Sequence, residues 1–318
     1  MKRVIVPSLI AVFSALFLLS WSAPAQAVTC SASITDIDFG NVSLKAGQVN
    51  RTTGSLQINC SEAGLLNAIG VCVELGSGSG GAGASNSPRY LQDGFGNSVD
   101  YQLRSGGYGS SNPVWEDVFV SIPIVLGSGS TLIPITIYAD ISTTGVDSPI
   151  GLYSSQFSAG SDAQITYDVS NCSLSGPTAP IPSFSVSANV TSACEVDSAT
   201  LNFGSISGVI SSPIDADTQI AVRCTSGTSY DVRLSLGNGL LVTDPAQRKM
   251  TSLLDSLRYG LYQDSARTQV WGNSSSNDVT ATGTGSNQLF PVYGRIHSGQ
   301  SVLAGSYSDT VLITVEYN

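Results

Sequence analysis

The sequence predicts an all-β protein built from two tandem immunoglobulin-like β-sandwich domains. Three observations carry that expectation. Charged residues make up only 11% of the chain, glycine is abundant at 33 and methionine scarce at 2, a composition suited to short strands and tight turns rather than long helices. Cys30 is followed by Phe39-Gly40 and then Cys60, and Cys194 is followed at the same offsets by Phe203-Gly204 and Cys224, so one domain occurs twice. Between the copies, Phe184, Val186, Ala188 and Val190 alternate with polar residues, the period of a strand that buries one face.

Taken in order, residues 1–27 read as an export signal. Lys2 and Arg3 give a positive start, Val4 to Leu19 an apolar stretch, and Ala25-Gln26-Ala27 a small-residue cleavage site. The apolar stretch is shorter than the roughly 20 residues that a membrane span needs. Cleavage before Val28 takes the formal charge from −10 to −12, because Lys2 and Arg3 leave and no acidic residue does. Such an acidic surface is a poor partner for nucleic acid, whose phosphates require clustered Lys and Arg.

The N-terminal domain is expected over 28–182, with strand-like alternation at Leu56 to Cys60, Val71 to Leu75 and Thr136 to Tyr138 and a final strand from Ala163 to Val169. Residues 183–191 form a linker strand, and 192–318 the C-terminal domain, ending in a strand at Thr310 to Tyr317. The copies agree well beyond their cysteines. Val71 to Gly76 parallels Val232 to Gly237, Ile133-Pro134 parallels Phe290-Pro291, and Gly151-Leu152-Tyr153 parallels Gly305-Ser306-Tyr307.

Six cysteines beyond the signal point to an oxidising compartment. Of fifteen possible connectivities, the repeat selects Cys30 with Cys60 and Cys194 with Cys224, leaving Cys72 for Cys172. Each thirty-residue loop closed this way stabilises by roughly 3 to 4 kcal/mol in the chain-entropy picture. No pair has metal-ligand spacing and His297 is the single histidine, so neither metal nor cofactor is expected. Gly76 to Gly81 has dinucleotide-loop spacing, but Ala82 to Pro88 offers no helix to hold a pyrophosphate. The carboxylate pairs Asp36 with Asp38, Glu116 with Asp117, and Asp215 with Asp217 have nothing to orient them as acid and base. An enzyme is therefore not expected.

The Cys, Phe-Gly, Cys frame, the run Tyr259-Gly260-Leu261-Tyr262 with Asp264 to Arg267, and the closing Gly305 to Tyr317 together resemble spore coat protein U domains. The second copy matches over its whole length; the first keeps the frame, departs in its middle and carries the extra cysteine pair. The resemblance implies pilin-like subunits of archaic (Csu-type) chaperone-usher pili, and two tandem copies resemble the two-domain adhesin at the pilus tip. It implies a periplasmic chaperone, an outer-membrane usher and an adjacent pilin as partners, export through the periplasm to the cell surface, and a role in attachment and biofilm formation. In donor-strand assembly a sandwich lacking its last strand takes one from a neighbour. The C-terminal domain is accordingly expected to lack its last strand, since Asp309 to Tyr317 runs to Asn318. Phe184, Val186, Ala188 and Val190 are expected to complete the N-terminal domain in cis, while only Val28 and Thr29 precede Cys30. The chain should thus accept a strand at one end and donate none.

With the linker strand running toward the second domain, the loops at the far end of the first become the candidate contact surface. They are apolar for exposed turns: Leu65, Leu66 and Ile69 after Cys60, Pro177 and Ile181 in the loop 171–182, and Ile124 and Val125 before Gly127. Adhesion to abiotic or host surfaces is the function expected of them, against a plain reading in which Leu65, Leu66 and Ile69 cap the core. Trp115 has a counterpart in Trp271 and is expected in the core. Two other readings compete with a pilus adhesin. One is a secreted spore-coat or surface-layer structural protein; the other is a soluble carbohydrate-binding protein using Tyr90, Tyr101 and Tyr108.

Overall fold

The computed structural model describes residues 28–61, 68–123, 129–142, 146–206 and 208–317. The export signal, Leu65, Leu66, Ile124 and Val125 lie outside the described residues. In the N-terminal domain the strands are β1 (Cys30–Ile34), β2 (Ile37–Val42), β3 (Val49–Ser61), β4 (Ala68–Leu75), β5 (Arg89–Gln92), β6 (Ser98–Arg104), β7 (Asp117–Pro123), β8 (Ser130–Ser142), β9 (Gly151–Phe157), β10 (Ala163–Tyr167), β11 (Thr178–Pro180) and β12 (Phe184–Val190). The C-terminal domain has β13 (Cys194–Val196), β14 (Val209–Ile210), β15 (Ile214–Cys224), β16 (Ser229–Leu234), β17 (Arg248–Thr251), β18 (Ser256–Tyr262), β19 (Val279–Thr282), β20 (Gln288–Ile296), β21 (Gln300–Ser301) and β22 (Ile313–Tyr317).

One sheet of the N-terminal domain runs β1-β3-β8-β6-β5-β9-β12-β2, and a four-stranded sheet, β11-β10-β4-β7, faces it. Alternation decides which residues meet between them: Leu56, Ile58 and Cys60 of β3 point inward, with Val71, Val73 and Leu75 of β4 opposite. Disulfides join Cys30 to Cys60, Cys72 to Cys172 and Cys194 to Cys224.

β12 sits between two strands that belong to the body of the first domain. It pairs antiparallel with β9, placing Phe184 opposite Phe157, Val186 opposite Ser155, Ala188 opposite Tyr153 and Val190 opposite Gly151. On its other side it pairs parallel with β2, Val186 with Ile37 and Val190 with Val42. Its inward residues are fully buried, and the Phe184 ring stacks on Phe157 with centroids 4.6 Å apart. Its outward residues are used as well. Asp36 accepts hydrogen bonds from the Ser185 amide (2.6 Å) and hydroxyl (2.9 Å), Asp38 accepts from the Ser187 hydroxyl (3.0 Å), and Asn189 donates to Asn41 (2.8 Å). Asp36 and Asp38 therefore pin the strand that crosses beside them.

The C-terminal domain repeats the plan as β13-β15-β20-β18-β17 facing β19-β16-β22, with the short pair β14-β21 at its rim. Here the expected strand from Asp309 shortens to Ile313–Tyr317. Residues 201–206, the counterparts of β2, carry no strand, and 305–312 hold only a bridge from Ser308 to Thr251. Both segments lack the same neighbour, because no strand among the described residues of the second domain occupies the place of β12.

The domains meet end to end. The Ala46 amide donates to Glu195 (2.6 Å), Arg223 reaches Glu195 (2.7 Å) and Asp147 (3.6 Å), and the Ile150 amide donates to the Ser226 carbonyl (3.3 Å).

Val186→Asp combined with Val190→Asp puts two carboxylates into the first domain's core. Urea unfolding should show that domain losing at least about 3 kcal/mol, with the second domain's transition in place. An unchanged first transition would show that β12 is not part of that core.

Candidate functional site

The empty place beside 201–206 is a groove with a defined floor. Two adjoining cavities of 300 Å³ and 490 Å³ share Leu201, Phe203, Met250 and Tyr307 as lining. The first continues past Ile220, Leu234 and Val311, the second past Ile210, Leu257 and Val302. Residues that β12 covers in the first domain have half-exposed counterparts here. Ile37 and Val42 are fully buried while Leu201 and Ile206 are not; Tyr153 and Phe157 are fully buried while Tyr307 and Val311 are not. Apolar surface left open along a groove is a place for an extended chain to bind.

Two features hold the groove in shape. The first is a buried arginine that occurs in both domains. Arg248 donates from Nε to the Ser235 carbonyl (2.8 Å), from Nη1 to Pro245 (2.7 Å) and from Nη2 to Leu234 (3.0 Å) and Trp271 (2.8 Å). Arg89 does the same with Gly76 (2.8 Å), Leu75 (2.8 Å) and Trp115 (2.5 Å). The tryptophans are anchored in turn, Trp271 Nε1 donating to the Val232 carbonyl (2.9 Å) and Trp115 Nε1 to Val73 (3.3 Å). Burial lowers each guanidinium to about 10, which leaves it charged at neutral pH. Sequence reasoning placed the tryptophans in the core and missed the arginines. The readable signal was that each arginine follows the end of the aligned strand, Leu75 or Leu234, by the same 14 positions.

The second feature is a pair of side chains on the groove's open edge. The Tyr307 hydroxyl donates to the carbonyl four residues earlier, Leu303 (2.8 Å), as Tyr153 donates to Pro149 (2.9 Å). Next to it, Asp309 accepts hydrogen bonds from the Tyr259 hydroxyl on one oxygen (2.7 Å) and from the amides of Asn238 (2.7 Å) and Thr310 (2.8 Å) on the other. Burial and the Asp309 carboxylate both push the Tyr259 phenol upward. Tyr259 therefore stays a donor.

At the other end of the molecule, strand register brings the bases of the expected contact loops together. Ser61 pairs with Ser130, Ala68 with Pro123, and the Val169 amide donates to the Gly70 carbonyl. Two of the expected contact residues are corrected. Ile69 is 2% exposed and Ile181 0% exposed, because each sits at an inward position of a strand or strand end and packs in the core. Pro177 is exposed, and so are Leu174 (49%), Phe119 and Leu132, which sequence reasoning did not single out. Leu174 was findable, as an apolar residue two places after Cys172 in an otherwise polar turn. The tyrosine platform does not form. Tyr101 is 2% exposed, and Tyr108 lies edge-on against Tyr138 (5.0 Å) with the Arg51 guanidinium over its ring (5.1 Å).

The family model described as the Spore Coat Protein U domain matches residues 15–159 and 181–314, one match to each domain. "Protein U" of Myxococcus xanthus is 33% identical over 144 residues, covering 80% of that protein and 41% of this chain. Among solved structures, the fold resembles that in the CsuC-CsuE chaperone-tip adhesion subunit pre-assembly complex from archaic chaperone-usher Csu pili of Acinetobacter baumannii. The TM-score is 0.51 at 16% identity, over 91% of this chain and 100% of that one. The CupB6 tip adhesin from Pseudomonas aeruginosa aligns over 91% of this chain and 94% of that one, at 12% identity and a TM-score of 0.34.

Replacing Arg248 with Leu strands the carbonyls of Leu234, Ser235, Pro245 and Trp271 in the core. The second domain should lose at least about 3 kcal/mol in urea unfolding, and Arg248→Lys should restore less than half of that, because an ammonium lacks the planar fork. Loss of under about 1 kcal/mol in the Leu variant would refute the role assigned to the guanidinium.

Proposed function

This chain belongs to the Spore Coat Protein U domain family, and from that premise we propose that it is an adhesin-like subunit of a chaperone-usher pilus, placed at the pilus tip. The observation that carries the proposal is the contrast between two copies of one domain. In the first, β12 fills the place between β9 and β2; in the second, that place is a groove between 201–206 and 305–312 with Leu201, Phe203, Met250, Tyr307 and Val311 in its lining. A strand taken from an adjacent pilin completes the second domain by strand addition. In the first domain, burying Phe184, Val186 and Val190 of β12 contributes on the order of 5 to 8 kcal/mol before entropy is subtracted, and the apolar residues of an incoming strand would add the same kind of term. Before assembly a periplasmic chaperone covers the groove and delivers the subunit to an outer-membrane usher.

The export signal at residues 1–27 takes the chain to the periplasm and then to the cell surface. The strand with donor character is consumed inside the chain, which supports assembly through the second domain with the first domain facing outward. Its far end, with Leu174, Pro177, Phe119 and Leu132 exposed, attaches to abiotic or host surfaces by apolar contact and so supports biofilm formation. The role is binding and structural, not enzymatic.

Expression of the chain with and without a periplasmic chaperone tests the groove. A one-to-one complex with the chaperone, and little soluble chain without it, is expected; a stable monomer accumulating alone would contradict the open second domain. Leu174→Asp with Phe119→Asp tests the outward end. Binding to polystyrene should fall at least tenfold while pili still assemble, and undiminished binding would remove these residues from the contact surface.

A further inference from the structure

The filled groove of the first domain is a template for the empty one in the second. Carrying the register of β12 across, an incoming strand places four inward side chains opposite Val311, Asp309, Tyr307 and Gly305, where Phe184, Val186, Ala188 and Val190 lie opposite Phe157, Ser155, Tyr153 and Gly151. Two of the four positions carry the same residue, tyrosine and glycine, and a third exchanges the apolar Phe157 for the smaller Val311. Tyr307 has its ring fixed by the same bond to the fourth preceding carbonyl as Tyr153, and opposite Tyr153 β12 has the small Ala188, with both residues fully buried. The small side chain of β12 therefore has its counterpart in the incoming strand.

The position of Ser155 is where the grooves part. Ser155 is uncharged, fully buried under Val186 and accepts from the Gly80 amide at 3.0 Å. Its counterpart Asp309 brings a carboxylate into the same inward row. One Asp309 oxygen accepts two backbone amides; the other accepts only the Tyr259 hydroxyl. A carboxylate oxygen accepts about two hydrogen bonds, so among the described residues one acceptor site is left over on a side chain that lines the space the strand will close. Covering it with a valine strips that site of water and supplies nothing in return. A side-chain hydroxyl on the incoming strand supplies a charge-assisted bond at that point.

We propose that Asp309 selects the strand that enters the second domain, requiring a hydroxyl-bearing side chain opposite itself and a small one opposite Tyr307. The inference rests on the strand-accepting reading of the groove and names the occupant: an extended segment of another subunit with a Thr or Ser where β12 has Val186. The same carboxylate makes the chain's own strand 184–190 the poorer ligand of its own open groove, which disfavours exchange of that strand between two copies.

The test appends a strand to the full chain after Asn318, through a Gly-Ser linker as long as the segment 168–183 that joins β10 to β12. One version carries the sequence of 183–191, a second has Thr in place of Val186, and a third adds Leu in place of Ala188 to the second. The thermal midpoint of the second domain is read for each. The Thr version should exceed the Val version by about 4 °C or more, and the Leu version should lose that gain. In the Asp309→Ser chain the order should reverse, with Val above Thr. Asp309→Ser also deprives Tyr259 and Asn238 of their acceptor, so each comparison is made between strands appended to the same chain. Asp309→Asn, which keeps an acceptor oxygen, replaces it where the Ser variant fails to fold, and there the Thr advantage should shrink at least by half. Equal midpoints for Thr and Val on the unaltered chain would overturn the selection by Asp309 and leave strand addition standing. No rise from any appended strand would overturn both.

Discussion

Two strands of a sandwich that stand one strand-width too far apart to pair with each other impose the constraint on which this molecule rests. β9 and β2 are in that position, and neither can be a strand on that side without a third between them. In the first domain β12 supplies the missing ladder on both sides, so each inward residue is covered and each outward serine finds Asp36 or Asp38. In the second domain the corresponding segments have the residues for the same arrangement and lack the partner. They form no ladder on that side, and the apolar side chains Leu201, Phe203, Tyr307 and Val311 are half-exposed. Unpaired strand edges beside an apolar floor recruit another strand, and the fold directs that tendency to one place.

An open groove is useful only if it does not collapse. An unfilled core closes when its walls are free to move inward, and the partial relaxation seen in cavities is the usual result. Here the walls are tied to the frame. Arg248 bridges the end of β16, the turn before β17 and the strand-like segment at Trp271 through four carbonyls. Tyr307 is fastened to Leu303, and Asp309 to Asn238 and Tyr259. Arg89 repeats the bridge in the closed domain, so the device belongs to the domain's frame rather than to the opening itself. The groove inherits a rigid setting from a network that every copy of the domain carries.

Much of this was legible in the sequence, and for identifiable reasons. The repeat fixed the two-domain organisation because Cys and Phe-Gly recur at equal offsets, and alternation made Phe184 to Val190 readable as a strand because a period of two has one meaning. Strand ends were less legible. Asp309 to Leu312 alternates like its counterpart, yet whether it pairs depends on a neighbour that the segment itself does not encode. Burial at strand ends was illegible for the same kind of reason: Ile69 and Ile181 flank turns in sequence, while the sheets that cover them come from residues far away. Arg89 and Arg248 escaped notice because a charged residue is ordinarily exposed, and only the carbonyls converging from three segments make these two internal.

The two domains also differ in how the same strand position is secured, and the difference follows from what lies next to each. Cys72 aligns with Arg233. In the second domain that arginine reaches the largely buried Asp278 (2.9 Å) and, at the surface, Asp231 (3.8 Å) and Glu316, tying β16 to the segment before β19 and to β22 through ion pairs. Surface pairs contribute little each and weaken in salt. In the first domain the position is covalent, Cys72 to Cys172 with Cα atoms 5.4 Å apart, and the bond ties β4 to the turn that bears Leu174 and Pro177. That turn lies at the end away from the second domain, whereas the matching end of the second domain is held against the first by Glu195, Arg223 and Ser226. On the proposed function, an end that met a surface through apolar side chains would lose affinity to every degree of freedom frozen on contact. A cross-link insensitive to salt, placed at the base of the outward turn, removes part of that loss in advance.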